Sequence, residues 1–413
     1  MWTPDELVNF VARVLYEVLT HGLTLDYAFQ RVARGWRRLK SFKVFYDVAF
    51  DVVRNYFLLR HLAARLFGSE GAKAVVRAWF VYRAEQYFRN KQIVARYRKR
   101  LLKRALMTPE DALKSVEELR RDTITYLSVK YSYHPAIVKT LVENLGAEEA
   151  ERVMEAGNQT WMWLRINTLK ADVDKALRLL EREADVEPHP RLSFMVLLKS
   201  ARKPVQYLTA VRELVAVPQD LASVYAVLAL EPSPGDKIAD LAAAPGMKTS
   251  LIVQLTEGRA RVVAADVSAA RVARMRGLLK RLGASDSVEI IRADSRKLAT
   301  RRFDKALVDA PCTSSGAFTK EPAVKVYPRV SRARHYGALQ RELLANALRL
   351  AERVTYSVCS ILPEEGEDVI AGIDAAAERA PAELVPAYRG PGGRTLPHVH
   401  RSEAFFIARL ARL

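Results

Sequence analysis

The sequence lacks the features that mark secreted, membrane-spanning and zinc-caged proteins. Its 413 residues include only two cysteines, Cys312 and Cys359, which excludes a disulfide framework and a cysteine-based zinc site of the usual spacing. No apolar run reaches the roughly 18 residues that a membrane span needs, and residues 1–10 lack the basic and apolar regions of a signal peptide. We therefore expect a cytoplasmic protein with reduced thiols and no metal, and we take a monomer as the default state.

Acidic residues are also scarce relative to basic ones. Lys and Arg total 66 against 47 Asp and Glu, so the formal net charge is +19. Residues 1–107 alone hold 21 Lys and Arg and 8 Asp and Glu. Any single basic cluster is equally typical of a solvated helix face, but the regional excess favours contact with the phosphates of RNA or DNA. One dense cluster spans 96–104, and another comprises Arg34, Arg37, Arg38 and Lys40.

Three changes of pattern along the chain predict three regions. In residues 1–125 apolar and aromatic positions recur every three or four residues, which predicts an all-α bundle with its aromatic side chains in the core. Residues 126–222 mix strand-like and helical segments, which predicts linker helices and a small α+β subdomain. In residues 223–413 short β-rich runs alternate with helical segments, a pattern typical of an α/β fold with a parallel, doubly wound sheet.

Acidic residues and a glycine-bearing turn follow the first three strands of that predicted sheet. The turn is Asp240–Thr249, the second strand ends in Asp266, and the third ends in Asp294. Each aspartate alone is better explained as a helix N-cap. Because ligands of such sheets bind at the carboxyl ends of the strands, the three together predict a nucleoside-shaped crevice, with Asp266 at the ribose hydroxyls and Asp294 at the adenine edge. The adenosine part of S-adenosylmethionine fits such a crevice.

The two cysteines follow the fourth and fifth predicted strands, so both thiols are expected at one edge of the sheet. A lone thiol there is typical of a structural core residue, whereas two at neighbouring strand ends favour function. One thiolate can add to carbon-6 of cytosine, so that carbon-5 attacks a methyl sulfonium, and a second thiol can assist loss of the carbon-5 proton. Asp309 is suited to hydrogen-bond the pyrimidine edge, and Lys248 to favour thiolate formation.

Six short segments resemble those of one known family. They are Arg165–Lys170 (RINTLK), Gln219–Ser223 (QDLAS), Asp240–Thr249 (DLAAAPGMKT), Asp309–Gly316 (DAPCTSSG), Tyr356–Ile361 (YSVCSI) and Pro363–Glu367 (PEEGE). The family is that of the RNA cytosine-5 methyltransferases of the NSUN and bacterial RsmB (Sun/Fmu) type. The resemblance implies a Rossmann-like methyltransferase sheet, S-adenosylmethionine as the cofactor and RNA as the partner.

The resemblance also implies roles for individual residues. It makes Cys359 the nucleophile and Cys312 the residue that assists product release, with Asp309 and Lys248 beside them. Residues 1–125 are similar to the NusB-like RNA-binding domain of the RsmB branch, which favours ribosomal RNA as the substrate, with transfer RNA as the runner-up. The implied cofactor contacts are Ala242, Ala243, Ala244, Pro245, Gly246, Met247, Lys248, Asp266, Arg271, Asp294 and Asp309.

Three departures from the family pattern leave other functions to be weighed. Ala242 stands where the family has Cys, Met247 where it has a second Gly, and Val358 where it has Thr. A non-catalytic RNA-binding or ribosome-assembly factor has no need of two retained cysteines. A DNA cytosine-5 methyltransferase would use Cys312 as the nucleophile, and a small-molecule methyltransferase has no use for so basic a front region.

Overall fold

The computed structural model describes residues 2–36, 42–88, 90–300 and 302–413. They form two compact units, the first made of Met1–Asn158 and Ala317–Val330 and the second of Gln159–Gly316 and Ser331–Leu413. Of the basic cluster that begins at Arg34, the residues Arg37, Arg38 and Lys40 lie outside the described residues. Across the described ranges, no helix combines the length and apolarity that crossing a bilayer requires.

The first unit is helical, as the sequence predicts. Its helices are α1 (Pro4–His21), α2 (Leu25–Ala33), α3 (Phe42–Arg54), α4 (Tyr56–Phe67), α5 (Ala72–Tyr82), α6 (Lys91–Leu102), α7 (Pro109–Glu117), α8 (Thr123–Tyr131), α9 (Pro135–Leu145) and α10 (Ala147–Gly157). Local signals fix the ends of α1: Thr3 and Glu6 form a reciprocal capping box, and Gly22 ends the helix at φ 61°. Helix α8 packs against α4, α9 and α10. The helical unit therefore extends beyond residue 125, which the sequence predicts as its last residue.

Aromatic side chains fill the core of the first unit. Trp79 is fully buried, and its indole Nε1 donates to Asp51 Oδ2 at 2.7 Å. The same carboxylate pairs with Arg83 at 2.6 Å, so the buried charge is compensated. The sequence predicts that the aromatic side chains of residues 1–125 lie in the core, and this prediction is wrong for Phe42. It is 51% exposed at the first position of α3, although its ring lies 4.7 Å from that of Phe29.

Residues 317–330 belong to the first unit although they lie far along the chain. They include a short helix, α16 (Ala323–Val326). Lys325 on this helix is fully buried, and its ammonium donates to the backbone oxygens of Arg54 at 2.8 Å and Tyr131 at 3.2 Å and to the side-chain oxygen of Asn158. Burial lowers the pKa of Lys325 well below its usual value. These bonds to a buried lysine anchor the segment in the helical unit.

A small antiparallel sheet opens the second unit, as the α+β prediction requires. Its strand order is β2-β3-β1-β4, and β1 pairs antiparallel with both β3 and β4. The elements are β1 (Met162–Ile166), α11 (Val173–Glu181), β2 (Ala184–Pro188), β3 (Met195–Ala201), α12 (Thr209–Arg212) and β4 (Ala216–Pro218).

A nine-stranded sheet forms the rest of the second unit and confirms the predicted α/β class. The strand order is β11-β12-β13-β9-β8-β5-β6-β7, with β10 beside β13. The five strands from β9 to β7 run parallel, and β13 pairs antiparallel with β9. The elements are α13 (Leu221–Leu228), β5 (Lys237–Asp240), α14 (Met247–Leu255), β6 (Arg261–Asp266), α15 (Ala269–Leu282), β7 (Val288–Arg292), β8 (Phe303–Asp309), α17 (Ala333–Leu350), β9 (Ala351–Val358), α18 (Glu367–Ala371), β10 (Ala376–Glu378), β11 (Val385–Pro386), β12 (Gly393–Arg394), α19 (Pro397–His400) and β13 (Phe406–Ala411).

Helices cover both faces of this sheet. Ile238 and Leu307 point into a core shared with α13, α14 and α15, whereas Ala239 and Val308 point into a second core shared with α17 and α18. Side chains alternate between the two cores because successive residues of a strand face opposite sides. Both faces are therefore occupied by packing, which leaves the carboxyl edge of the strands for a ligand.

Candidate active site

The first parallel strand leads into the predicted cofactor loop, 241–246. Asp240 ends the strand fully buried, its Oδ2 accepts from Thr249 Oγ1 at 2.7 Å, and burial raises the pKa of Asp240 to about 7. Gly246 has φ 104°, and a Cβ there would lie 3.0 Å from Met275 Cγ on α15. Glycine at this position therefore lets the loop pack closely against α15. Helix α14 begins at the next residue, Met247.

Asp266 and Arg271 fix the loop to the end of the second parallel strand. Asp266 Oδ1 accepts from the Ser268 backbone N–H at 2.9 Å, and its Oδ2 lies 3.1 Å from Arg271 Nη2. The same guanidinium nitrogen donates to the Ala244 carbonyl oxygen at 2.7 Å. Arg271 therefore bridges the loop and the strand end, which gives it a positioning role as well as a place on the wall of the crevice described below.

Asp294 is paired within its own segment. It lies two residues beyond β7, and Arg296 donates from Nε to Asp294 Oδ1 at 3.0 Å and from Nη2 to Oδ2 at 2.7 Å. These bonds lower the pKa of Asp294. Both carboxylate oxygens thus already accept hydrogen bonds, and the contact with an adenine edge remains a prediction.

The two cysteines meet at the ends of neighbouring parallel strands. Asp309 of β8 and Ser357 of β9 are partners in the register, and each chain continues a few residues further to its thiol. The sulfur atoms of Cys312 and Cys359 lie 3.0 Å apart. Ser314 Oγ lies 3.5 Å from the Cys359 sulfur, with the Ser314 backbone at φ 59°.

The pair of thiols is electrostatically asymmetric. The hydrogen bond from Cys312 lowers the pKa of Cys359. Burial and the charge of Asp309 oppose this effect, whereas the Ser314 hydroxyl and the Lys248 ammonium reinforce it. The same bond, together with burial and the nearby charges of Cys359 and Glu365, raises the pKa of Cys312 well above its usual value. Of the two thiols, Cys359 is therefore the one that loses its proton more readily.

Lys248 and Asp309 form an ion pair beside the thiols. Lys248 Nζ lies 2.7 Å from Asp309 Oδ2, and the Ser357 hydroxyl donates to Asp309 Oδ1 at 2.9 Å. Burial would lower the pKa of Lys248, but the charge and hydrogen bond of Asp309 outweigh it and raise that pKa. The lysine therefore holds a positive charge close to the Cys359 sulfur.

One crevice of about 650 Å³ collects most of the predicted site residues. Its size suits a nucleoside. Asp266, at the end of the strand beside the cofactor loop, is one of its acidic residues and can accept hydrogen bonds from ribose hydroxyls. The predicted residues on its wall are Ala242, Ala244, Asp266, Arg271, Asp294, Asp309, Cys312 and Cys359. The predicted residues that do not line it are Ala243, Pro245, Gly246, Met247 and Lys248. The Met247 departure therefore leaves the wall of the crevice unchanged.

Comparison with known proteins identifies the family. A family model described as 16S rRNA methyltransferase RsmB/F matches residues 227–411, and a model of the RsmF/B-like ferredoxin-like domain matches residues 134–206. The ribosomal RNA small subunit methyltransferase B of Enterobacter sp. is 32% identical over 294 residues, which cover 69% of this chain and 68% of that protein. The chain belongs to the RsmB/F methyltransferase family.

Further RsmB/F relatives and solved structures agree with this membership. The Klebsiella pneumoniae protein of the same name is 33% identical over 290 residues, covering 68% of this chain and 66% of that protein, so the chain spans just under two thirds of it. A methyltransferase homolog from Pyrococcus horikoshii superposes with a TM-score of 0.62 at 28% identity, covering 71% of this chain and 99% of that one. The crystal structure of PH0851 has a TM-score of 0.76 at 24% identity and covers 100% of both chains, a likeness of fold. The predicted resemblance is confirmed, and S-adenosylmethionine is the cofactor of this RsmB/F family.

Sequence reasoning missed several residues that organise the site of this RsmB/F chain. Arg165 is fully buried and donates to Gln219 Oε1 at 2.6 Å, to Ser250 Oγ at 2.7 Å and to Gln254. These bonds tie β1 of the small sheet to α14, which follows the cofactor loop. The RINTLK and QDLAS segments contain Arg165 and Gln219 and so signalled importance, but nothing in the sequence indicated that the two side chains meet.

Proposed function

We propose that this chain methylates carbon-5 of a cytidine in RNA, with Cys359 as the nucleophile. The Cys359 thiolate adds to carbon-6 of the base, which makes carbon-5 an enamine-type nucleophile. Bound S-adenosylmethionine supplies the methyl group from its sulfonium. The carbon-5 proton then passes to a base beside the ring, for which Cys312 in its thiolate form is our candidate, and the electrons of that C–H bond re-form the 5,6 double bond as the sulfur–carbon-6 bond breaks and releases the Cys359 thiolate.

The 3.0 Å separation of the two sulfurs carries this proposal. A reaction that forms and then breaks a thioether needs one sulfur as a thiolate and a second group that exchanges protons at the same place. The pKa of Cys359 is lowered, first by its bond from Cys312, which suits Cys359 to act as the thiolate. The pKa of Cys312 is raised, which suits Cys312 to exchange protons. The same asymmetry supports RNA over DNA as the substrate, because a DNA enzyme would use the thiol at Cys312.

Lys248 and Asp309 are further groups beside the thiols to which we assign roles. The Lys248 ammonium favours the thiolate form of Cys359. Asp309, held by Lys248 and Ser357, lines the crevice and is our candidate for the hydrogen bond to the pyrimidine edge. Asp266, at the end of β6, is our candidate for the ribose hydroxyls of the cofactor.

Ribosomal RNA is the substrate that we propose, because the curated relatives are named as methyltransferases of small-subunit ribosomal RNA. Action on that RNA is consistent with the cytoplasm as the site of activity. The test incubates the protein and methyl-labelled S-adenosylmethionine with unmodified ribosomal RNA and transfer RNA in parallel, followed by digestion to nucleosides. Label in 5-methylcytidine from ribosomal RNA is the expected result.

Other outcomes of that experiment separate the alternatives. Label in 5-methylcytidine from transfer RNA alone would move the substrate to transfer RNA and keep the reaction. Absence of label from both RNAs, with cofactor binding intact, would favour a non-catalytic RNA-binding or assembly factor. Label in another nucleoside would contradict the roles given to the two cysteines.

We propose in addition that the helical unit binds RNA through a groove on α1, α2 and α5. The groove has a volume of about 800 Å³. Among the described residues, four basic side chains line it, Arg13, Arg31, Lys73 and Arg77, together with the half-exposed Tyr16. One acidic side chain, Glu17, lies among them, 3.4 Å from Arg31. Four cations and one anion favour phosphates, and an exposed tyrosine suits an unpaired base.

Charge reversal tests this groove. Arg13→Glu with Arg77→Glu is expected to weaken binding of ribosomal RNA at least tenfold and to reduce its salt dependence, because fewer phosphate contacts release fewer counterions. The matched control is Lys139→Glu with Arg152→Glu, which reverses the same number of charges on α9 and α10 outside the groove. Equal losses in the groove variant and the control would contradict the assignment.

A further inference from the structure

Glu365 accepts several hydrogen bonds next to the active site without lining the crevice. Its side chain is fully buried at the end of a 3-10 helix, Pro363–Glu365. Its Oε1 accepts from the Thr313 backbone N–H at 2.8 Å, and its Oε2 accepts from Thr313 Oγ1 and from Ser360 Oγ, each at 2.5 Å. One carboxylate thus receives three short hydrogen bonds.

The partners of Glu365 are the residues that follow the two cysteines. Thr313 comes directly after Cys312, and Ser360 directly after Cys359. The carboxylate therefore joins the two loops that carry the thiols. Since these loops leave separate strands, the distance between the sulfurs depends on what joins the loops beyond the strand ends.

Further bonds extend this connection between the loops. Ser315 Oγ lies 2.8 Å from Ser360 Oγ and accepts from the Ile361 backbone N–H at 3.2 Å. Gln340 of α17 donates to the Pro311 carbonyl oxygen at 2.9 Å and lies 3.5 Å from Glu365 Oε1. Glu365 is the anion at the centre of this otherwise neutral network.

We propose that Glu365 is a positioning residue that holds the Cys312 and Cys359 loops at the spacing at which one thiol donates a hydrogen bond to the other. The inference rests on the proposed function, because it assigns the reaction to these two thiols. Burial raises the pKa of Glu365, and the bonds from Ser360 and Thr313 counter that rise. A carboxylate buried away from substrate is costly unless its hydrogen bonds are made, which fits a role in organising the loops.

Glu365→Gln tests this role with little change of shape. The amide cannot accept at both of its terminal atoms, so at least one donor among Thr313 and Ser360 loses its partner. We expect the RNA KM to stay within about twofold and kcat to fall about 100-fold, the effect of a misplacement of about 1 Å at a reacting group. Glu364→Gln is the matched control, because it removes the same charge one residue away.

Alkylation by iodoacetamide gives a second readout that needs neither RNA nor cofactor. In the unaltered protein Cys359 should react with a pH midpoint below that of an ordinary thiol, and in Glu365→Gln this midpoint should rise. Glu365→Asp, which keeps the charge, should recover part of both kcat and the midpoint. Recovery by aspartate separates positioning by the carboxylate from a loss of folding, which the thermal unfolding temperature monitors.

The outcomes keep this inference distinct from the proposed function. Wild-type kcat together with an unchanged alkylation midpoint in Glu365→Gln would overturn the role of Glu365 and leave the methylation proposal in place. If the unaltered protein forms no 5-methylcytidine, the methylation proposal fails, while the alkylation profiles still decide whether Glu365 couples the thiols. If Glu365→Gln does not fold, Ser360→Ala, which removes one of the three bonds, replaces it, and an unchanged midpoint in that variant counts against the inference.

Discussion

The sulfur atoms of Cys312 and Cys359 lie 3.0 Å apart, although the two residues follow different strands of the sheet. Because β8 and β9 are parallel neighbours, their carboxyl ends meet at one edge and bring the thiols together. At this distance one sulfur can donate a hydrogen bond to the other, so the ionisation of one thiol affects that of its neighbour. The pair therefore acts as one titrating unit.

Separate replacement of the two cysteines should have opposite effects on a covalent RNA complex. Cys359→Ala removes the thiolate, so RNA carrying 5-fluorocytosine should form no complex that survives denaturing electrophoresis. Cys312→Ala keeps the thiolate but removes the group that assists proton loss, so a complex with ordinary RNA should accumulate. A complex that persists in Cys359→Ala and is lost in Cys312→Ala would reverse the two roles.

The pH dependence of Cys359 alkylation should report the bond from Cys312. The pKa of Cys359 is lowered by that bond first, so the midpoint of the alkylation profile should lie below the value of about 8.5 that is typical of a free thiol. Cys312→Ala removes the donor to the thiolate, and the midpoint should therefore move to higher pH. The measurement is the iodoacetamide rate between pH 5 and 10, with the labelled peptide identified by mass spectrometry. A midpoint that stays or falls in Cys312→Ala would contradict this effect of the bond from Cys312.

Lys248→Met should slow catalysis through the same thiolate. The variant removes the cation that lowers the pKa of Cys359 and the partner of Asp309. A loss of about 10²- to 10⁴-fold in single-turnover rate is expected, the usual range for a group that controls proton transfer. Lys237→Met is the control. Lys237 is exposed at the start of β5, at the end of the strand away from the cofactor loop, and the variant should retain the wild-type rate. A rate within threefold of wild type in Lys248→Met would remove the lysine from the mechanism.

The sequence predicted those parts of the site that follow from strand order. Parallel strands share an edge, so Asp266, Asp309 and both cysteines could be expected in one crevice before any coordinates were known. The six family segments added the division of labour between Cys312 and Cys359. Strand order and family segments both work for residues whose place in the sequence fixes their place in the fold, at the end of a strand or within a known motif.

Other features depend on contacts between residues distant in the chain and were out of reach. The tight packing of Gly246 on Met275 depends on how α15 lies against the loop. The sequence indicated Glu365 only as a member of the PEEGE segment. Its hydrogen bonds could not be predicted, because its partners Thr313 and Ser360 come from two other loops. The bonds of Lys325 to the helical unit were hidden for the same reason, since its segment belongs by sequence to the α/β region.

Arg165→Ala should destabilise the second unit more than any surface substitution. Arg165 is fully buried, and its guanidinium donates to Gln219, Gln254 and Ser250. The truncation leaves these polar groups without their donor inside a packed core, and an unsatisfied buried group costs about 1–3 kcal/mol. We therefore expect the free energy of unfolding to fall by about 3–5 kcal/mol, because three buried acceptors lose their donor at once.

Chemical denaturation checks this loss. With a urea m-value of about 3 kcal/mol/M, the expected change lowers the midpoint of the second unit by about 1–1.7 M. Because the chain has two units and need not unfold in one step, the fluorescence of Trp163, which lies beside Arg165 on β1, should be followed in a variant that has no other tryptophan. Arg182→Ala, at the exposed end of α11, should leave the midpoint unchanged. Equal midpoints for the Arg165 and Arg182 variants would mean that the bonds of Arg165 contribute nothing to holding β1 against α14.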